Sequence, residues 1–185
     1  MSLHIAILGF LCEGNHHPYD IKKMLKGMNL ENIPHLNDGS LYYSFENLRK
    51  KGYVEKLEVT REENRPNKTT YGITALGREA LEQEIYESFK NFSSVKELYA
   101  STYFLKYANA TKAAFLLEES IRKLEEKLNY SRMLWDQAQE KPTPIPIDKG
   151  IRLIYDHATS QMVLDIDWLR KLLDYVRTLE KAPQG

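Results

Sequence analysis

A single cysteine, Cys12, in 185 residues leaves no intramolecular disulfide to form and no multi-cysteine zinc site. On an apolar stretch such a lone thiol reads as a small core hydrophobe. Net charge is also missing, with 26 Lys and Arg against 26 Asp and Glu, so the chain as a whole lacks the basic excess that a polyanion rewards. No apolar run approaches the roughly 18–20 residues that span a bilayer, and the start Met-Ser-Leu-His lacks the basic flank and long apolar stretch of a signal peptide. The expectation is a cytoplasmic protein with no membrane partner. Catalytic signatures are absent as well: there is no phosphate-binding glycine loop, no Gly-x-Ser-x-Gly elbow, no His-Glu-x-x-His pair and no cysteine beside a base. No enzyme, no catalytic residue and no cofactor is expected. His4, His16, His17 and His35 lack helical i, i+4 ligand spacing, so no metal is expected either, and His17 reads as helping to start a helix.

What is present is concentrated in Asn37-Asp-Gly-Ser-Leu-Tyr-Tyr-Ser-Phe-Glu-Asn-Leu-Arg-Lys-Lys-Gly-Tyr-Val-Glu. Asn37 or Asp38 can cap a helix start, since a short side-chain oxygen satisfies amides that the first turn leaves unpaired. Gly52 stops the helix. At 100° per residue Leu41, Phe45 and Leu48 cluster on one side, with Gly39, Tyr43, Asn47 and Lys50 opposite and Ser40, Tyr42 and Arg49 on the flanks. One face suits a core and the other a polar partner. Two short helices precede it, Leu3 to Leu11 and Pro18 to Lys26 closed by Gly27, with Pro18 at a first-turn position where its missing N–H costs nothing. Val54 to Val59 and Thr69 to Thr74 follow as extended runs around a charged tip, after which Thr74 caps a helix from Ala75 to Phe92. Helix, helix, helix, hairpin, helix is the order of a winged helix-turn-helix domain.

The motifs Ile7-Leu-Gly-Phe-Leu, His17-Pro-Tyr-Asp-Ile, Gly39-Ser-Leu-Tyr, Leu48-Arg-Lys-Lys-Gly-Tyr-Val and Tyr71-Gly-Ile-Thr-Ala-Leu-Gly, in this order, resemble the PadR family of bacterial transcriptional regulators. The resemblance is specific over residues 3 to 90 and looser beyond, where Asp167-Trp-Leu-Arg looks like the branch with a virulence-activator type C-terminal region. It implies a homodimer that binds operator DNA through winged helices and pairs through C-terminal helices. In some relatives a small aromatic effector releases the DNA. The expected fold is therefore mainly α with a small β-hairpin wing: a winged helix-turn-helix DNA-binding domain over 1–92 and a helical dimerisation domain over 93–185. The expected function is a sequence-specific regulator, read as a repressor on an inverted-repeat operator. The alternative is a winged-helix module for protein contacts alone, since fold does not determine function.

Double-stranded DNA is expected to meet Ser40, Tyr42, Tyr43, Asn47 and Lys50 of the third helix, Lys22 of the second, and Arg61, Arg65 and Lys68 of the wing. Tyr42, on the helix flank, serves equally well as a half-buried packing residue, and Tyr43 is the better contact. Charge asymmetry is slight, with 11 Lys and Arg against 9 Asp and Glu over residues 1–78, which points to modest non-specific affinity and reliance on dimerisation.

The remainder reads as helices: Val95 to Tyr107, then one starting at Asn109 or Thr111, and a last from Lys149 to Glu180 after the prolines of Lys141-Pro-Thr-Pro-Ile-Pro-Ile-Asp. Leu117, Ile121, Leu124 and Leu128 make a heptad seam continued by Ser131 and Trp135, while Met162, Leu169, Leu172 and Val176 belong to a stripe on the last helix that Asp165 interrupts. These eight apolar residues are the expected dimer interface, and the alternative is the core of an intramolecular hairpin. Tyr99, Tyr103, Trp135 and Trp168 are candidates for a pocket taking a small aromatic effector, the plainer reading being structural.

Overall fold

The computed structural model describes residues 3–27, 37–60, 68–140 and 147–180, and the side chains of all of these except 58–60 and 68. The chain divides into two compact units, Met1–Ala110 and Thr111–Gly185. Helix α1 (Leu3–Glu13) is the hub of the first. Every residue from Ile5 to Leu11 is buried, as expected for a helix apolar on all sides, and it packs against α2 (Pro18–Gly27), α3 (Asp38–Lys50), β2 (Lys68–Ile73) and α4 (Ala75–Lys90). Strands β1 (Val54–Thr60) and β2 pair antiparallel, with Val54 opposite Ile73 and Lys56 opposite Tyr71. The register shifts between Lys56 and Glu58, so that Leu57 is the extra residue of a bulge, which bends and twists the hairpin. At Gly72 a Cβ would stand 2.8 Å from the Leu57 Cδ1 and 2.9 Å from the Asn15 Oδ1, so any larger residue there would have to push both side chains aside.

The ends of α3 follow from local chemistry. The Asn37 side chain accepts the Ser40 N–H at 2.8 Å while the Ser40 hydroxyl accepts the Asn37 N–H at 3.1 Å, a reciprocal cap that removes two unpaired donors and contributes on the order of 1 kcal/mol. At the other end Gly52 takes a φ of 75°, its N–H donates to the Arg49 carbonyl at 2.9 Å, and the Tyr53 N–H donates to the Leu48 carbonyl at 2.9 Å. A non-glycine residue would be strained in that left-handed conformation. Thr74 then caps α4 by accepting the Gly77 N–H at 3.0 Å and ties it to the end of α3 by donating to the Gly52 carbonyl at 2.7 Å.

Residues 95–107 depart from the single helix expected. They form a 3-10 turn at Val95–Leu98, a short helix α5 (Tyr99–Tyr103) and a second 3-10 turn at Leu105–Tyr107. The break lets Phe104 turn inward: its ring is fully buried and lies 5.0 Å from Phe10 and 4.8 Å from Tyr103, edge-on to both. This segment packs on α1 and α4, so the first compact unit continues to Ala110 instead of closing near residue 92.

The second unit is an antiparallel helical hairpin of α6 (Ala110–Glu140) and α7 (Lys149–Glu180). Arg177 pairs with Glu118 at 2.8 Å, Arg170 with Glu125 at 2.6 Å, and Trp135 stacks on Tyr155 with ring centroids 4.1 Å apart. The proline segment 141–146 lies outside the described residues.

Candidate nucleic-acid interface

Helix α3 buries Leu41, Ser44, Phe45 and Leu48 and turns the rest outward. Tyr43 is 69% exposed and Tyr42 46%, Lys50 is exposed, and Asn47 is half-buried beside them. Two aromatic rings and an ammonium group held out by a helix capped at both ends make a surface that can stack, donate and accept. Tyr42 is not wholly free, for its ring meets that of His17 at 6.4 Å. On α2, Lys23 lies over the ring of the exposed Tyr19, 4.8 Å from its centroid.

Several cations of this face are already engaged. Lys22 donates to Asp38 at 2.6 Å, Arg49 donates to Glu46 at 3.0 Å, and Lys56 of β1 reaches the same carboxylate at 3.3 Å. Ser40, expected at the DNA, has its hydroxyl committed to the α3 cap. Arg61 and Arg65 lie outside the described residues, and Lys68 is described only as backbone of β2. Glu46 was not among the expected site residues, although helical spacing puts it between Tyr43 and Lys50 on the outward face. Its carboxyl is held below the ordinary glutamate range, first by Arg49 and then by Lys56. The Tyr71 hydroxyl donates to it at 3.3 Å, and burial, reinforced by this carboxylate, pushes that phenol up to about 12.

Three of the histidines meet near neighbours, and His35 lies outside the described residues. His4 meets Glu84 at 3.3 Å, His16 pairs through its backbone with Tyr71, and the His17 Nδ1 accepts the Tyr19 N–H at 3.1 Å, which places His17 at the start of α2 as expected.

Of the eight residues expected at a dimer interface, Leu117, Ile121, Leu128, Leu169, Leu172 and Val176 are buried within the single chain, and Leu124 and Met162 are half-buried. What this unit leaves exposed is a different set, among them Phe115, Tyr130 and Leu134 on α6 and Leu153, Ile154 and Leu164 on α7. Of the four aromatic residues proposed for an effector, Tyr99 and Tyr103 belong to the first unit, where Tyr103 packs on Phe10 and Phe104. Trp135 and Trp168 belong to the second, at different levels of the hairpin: Trp135 is held by Tyr155, whereas Arg170, two residues past Trp168, faces Glu125. The described clefts use other residues. One of about 280 Å³ is lined by Cys12, Arg78, Glu79, Glu82 and Tyr107, and one of about 350 Å³ lies between α6 and α7 around Leu128, Arg132, Val163 and Arg170. Among the described residues no helix is long and apolar enough to cross a membrane.

Residues 7–83 match the model of the transcriptional regulator PadR-like family. No curated protein matches the chain. Among solved structures, Bacillus subtilis PadR in complex with operator DNA is 22% identical over 94% of this chain and 98% of that one, with a TM-score of 0.43. The same protein in complex with p-coumaric acid is 21% identical over 95% and 98%, with a TM-score of 0.40. A Streptococcus mutans protein is 25% identical over 94% and 99%, with a TM-score of 0.42. The matched segment runs from α1 into α4 and takes in α3 and its hairpin, and the branch suggested by Asp167-Trp-Leu-Arg lies beyond it. The likeness to the transcriptional regulator PadR-like family thus rests on residues 7–83, less than half of the chain.

Proposed function

We propose that the protein is a cytoplasmic, sequence-specific DNA-binding regulator that acts as a homodimer and represses from an inverted-repeat operator. The observation that carries this reading is α3: a helix with one face buried in the core and the other presenting Tyr42 and Tyr43, 46% and 69% exposed, beside the exposed Lys50. Such a helix fits a major groove, where Asn47 can serve an adenine edge with two hydrogen bonds and the tyrosines reach phosphates or base edges. The match of residues 7–83 to the PadR-like family model supports the same use. The slight charge of this face makes one copy a weak binder, and a second copy joined to it makes the second contact intramolecular. Two-fold symmetry then calls for half-sites about one helical turn, roughly 10 base pairs, or a multiple apart.

For the pairing we assign the apolar side chains that the hairpin leaves in water, Leu153, Ile154 and Leu164 of α7 with Tyr130 and Leu134 of α6. Bacillus subtilis PadR is known in complex with p-coumaric acid, and a small aromatic acid is the class of effector to test here. A gel shift with the chain's own promoter region against a random duplex of equal length tests the central reading. Preferential retardation of the promoter is expected, and equal or absent retardation of both overturns it in favour of a protein-contact module.

A further inference from the structure

Glu46 lies one turn after Tyr43 and one turn before Lys50 on α3, yet it is only half exposed. The cause is the hairpin. Lys56 and Tyr71 stand opposite each other in the β1–β2 register, so their side chains share one face of the hairpin, and both reach Glu46: the Lys56 ammonium at 3.3 Å and the Tyr71 hydroxyl at 3.3 Å. Arg49, one turn along α3, donates to the other carboxylate oxygen at 3.0 Å. One carboxylate therefore joins three elements. Beneath it the Tyr71 ring packs on Phe45 with centroids 4.7 Å apart, and just beyond Lys56 the strand bulges.

We infer that Glu46 is a specificity-determining positioning residue, which sets the hairpin against the reading helix and withholds Arg49 and Lys56 from indiscriminate phosphate contact. The inference rests on the DNA-binding reading of α3. Two cations share one carboxylate, and all three side chains keep 40–47% of their surface in water. Ion pairs so exposed hold weakly, so a phosphate at the right place can take either cation over, whereas a phosphate elsewhere cannot reach it without giving up the Glu46 contact. A site that fits the helix and the hairpin together would release both cations at once. Random DNA would meet these two cations already paired with Glu46.

The test compares the full-length wild type with Glu46→Gln and Glu46→Asp. Glu46→Gln keeps the size of the side chain and removes the charge. It is expected to bind a random duplex more tightly and to steepen the log–log salt dependence by about 1–2, one for each cation released to a phosphate. Its preference for the promoter over the random duplex should fall at least several-fold. Lys56→Gln added to Glu46→Gln should return about one unit of slope, and Glu46→Asp, which keeps the charge, should stay near the wild-type slope. Heparin supplies a readout that needs no operator: Glu46→Gln should elute from it at higher salt than wild type. Unchanged elution and slope in Glu46→Gln, or weakened binding to random DNA, would overturn the inference. If the wild type fails to prefer its promoter, the regulator reading falls, and the heparin comparison still decides whether Glu46 withholds the two cations.

Discussion

Gly9 sits inside α1, fully surrounded, and a methyl group placed on it would lie 2.3 Å from the ring of Phe104. Carbon atoms rest about 3.5–4.0 Å apart, so in Gly9→Ala the ring must retreat by more than about 1 Å. Phe104 has nowhere to go, since it is fully buried and wedged edge-on against Phe10 and Tyr103. Overpacking of this kind costs about 1–3 kcal/mol, and the backbone restriction that favours Ala over Gly in a helix interior offsets about 0.8–1 kcal/mol of it. The upper part of the range applies because neither the ring nor the helix can relax, so a net loss of about 1–2 kcal/mol is expected. Urea unfolding followed by circular dichroism would show a lower midpoint at unchanged slope for the transition of the first unit. Combining Gly9→Ala with Phe104→Leu should cost at least about 1 kcal/mol less than the sum of the single changes, because the smaller side chain makes room for the methyl. A Gly9→Ala protein as stable as wild type, or strict additivity in the double mutant, would show that residues 95–107 do not pack on α1 as described.

On the DNA face, Asn47→Ala should reduce discrimination between operator and random duplex by about 1–3 kcal/mol, roughly 5- to 150-fold in the ratio of affinities, and an unaltered ratio would remove Asn47 from base reading. Changing Ile154 and Leu164 together to Glu should convert a dimer to a monomer in sedimentation at micromolar concentration with helix content retained, because both side chains already stand in water in the single chain, at 70% and 63% exposure. Leu169→Glu should instead melt the α6–α7 hairpin, since that side chain is fully buried; loss of helix in the first variant, or a surviving dimer, would refute the assignment. The Glu46 carboxyl is held below its ordinary value of 4.5, so its contribution to stability is complete above that pH and is lost as pH falls through the lower folded value. Acid titration of unfolding should therefore be flatter below pH 4.5 for Glu46→Gln than for wild type, and superimposable curves would mean that the carboxylate gains nothing from Arg49 and Lys56.

Local chemistry was legible without any coordinates. The Asn37 cap, the Gly52 stop, the Thr74 cap and the inward set Leu41, Phe45 and Leu48 all follow from neighbours within a turn or two, because each backbone group there finds its partner a few residues away. Hence the helix–hairpin order, the outward face with Tyr43 and Lys50, and the likeness to the PadR-like family over residues 7–83 could be read from the chain. Pairings between distant segments could not. A periodic apolar pattern records that a stripe is buried without recording by what, so Leu169 and Val176 read equally well as a partner's seam and as the core of their own hairpin, which is where they lie. The inward turn of Phe104, which carries the first unit on to Ala110, depends on the gap left by Gly9 about a hundred residues earlier in sequence. Glu46 was not singled out in the sequence; the hairpin register brings Lys56 and Tyr71 to it, and a charge acquires its role from the groups that folding sets within 3 or 4 Å, which sequence distance does not measure.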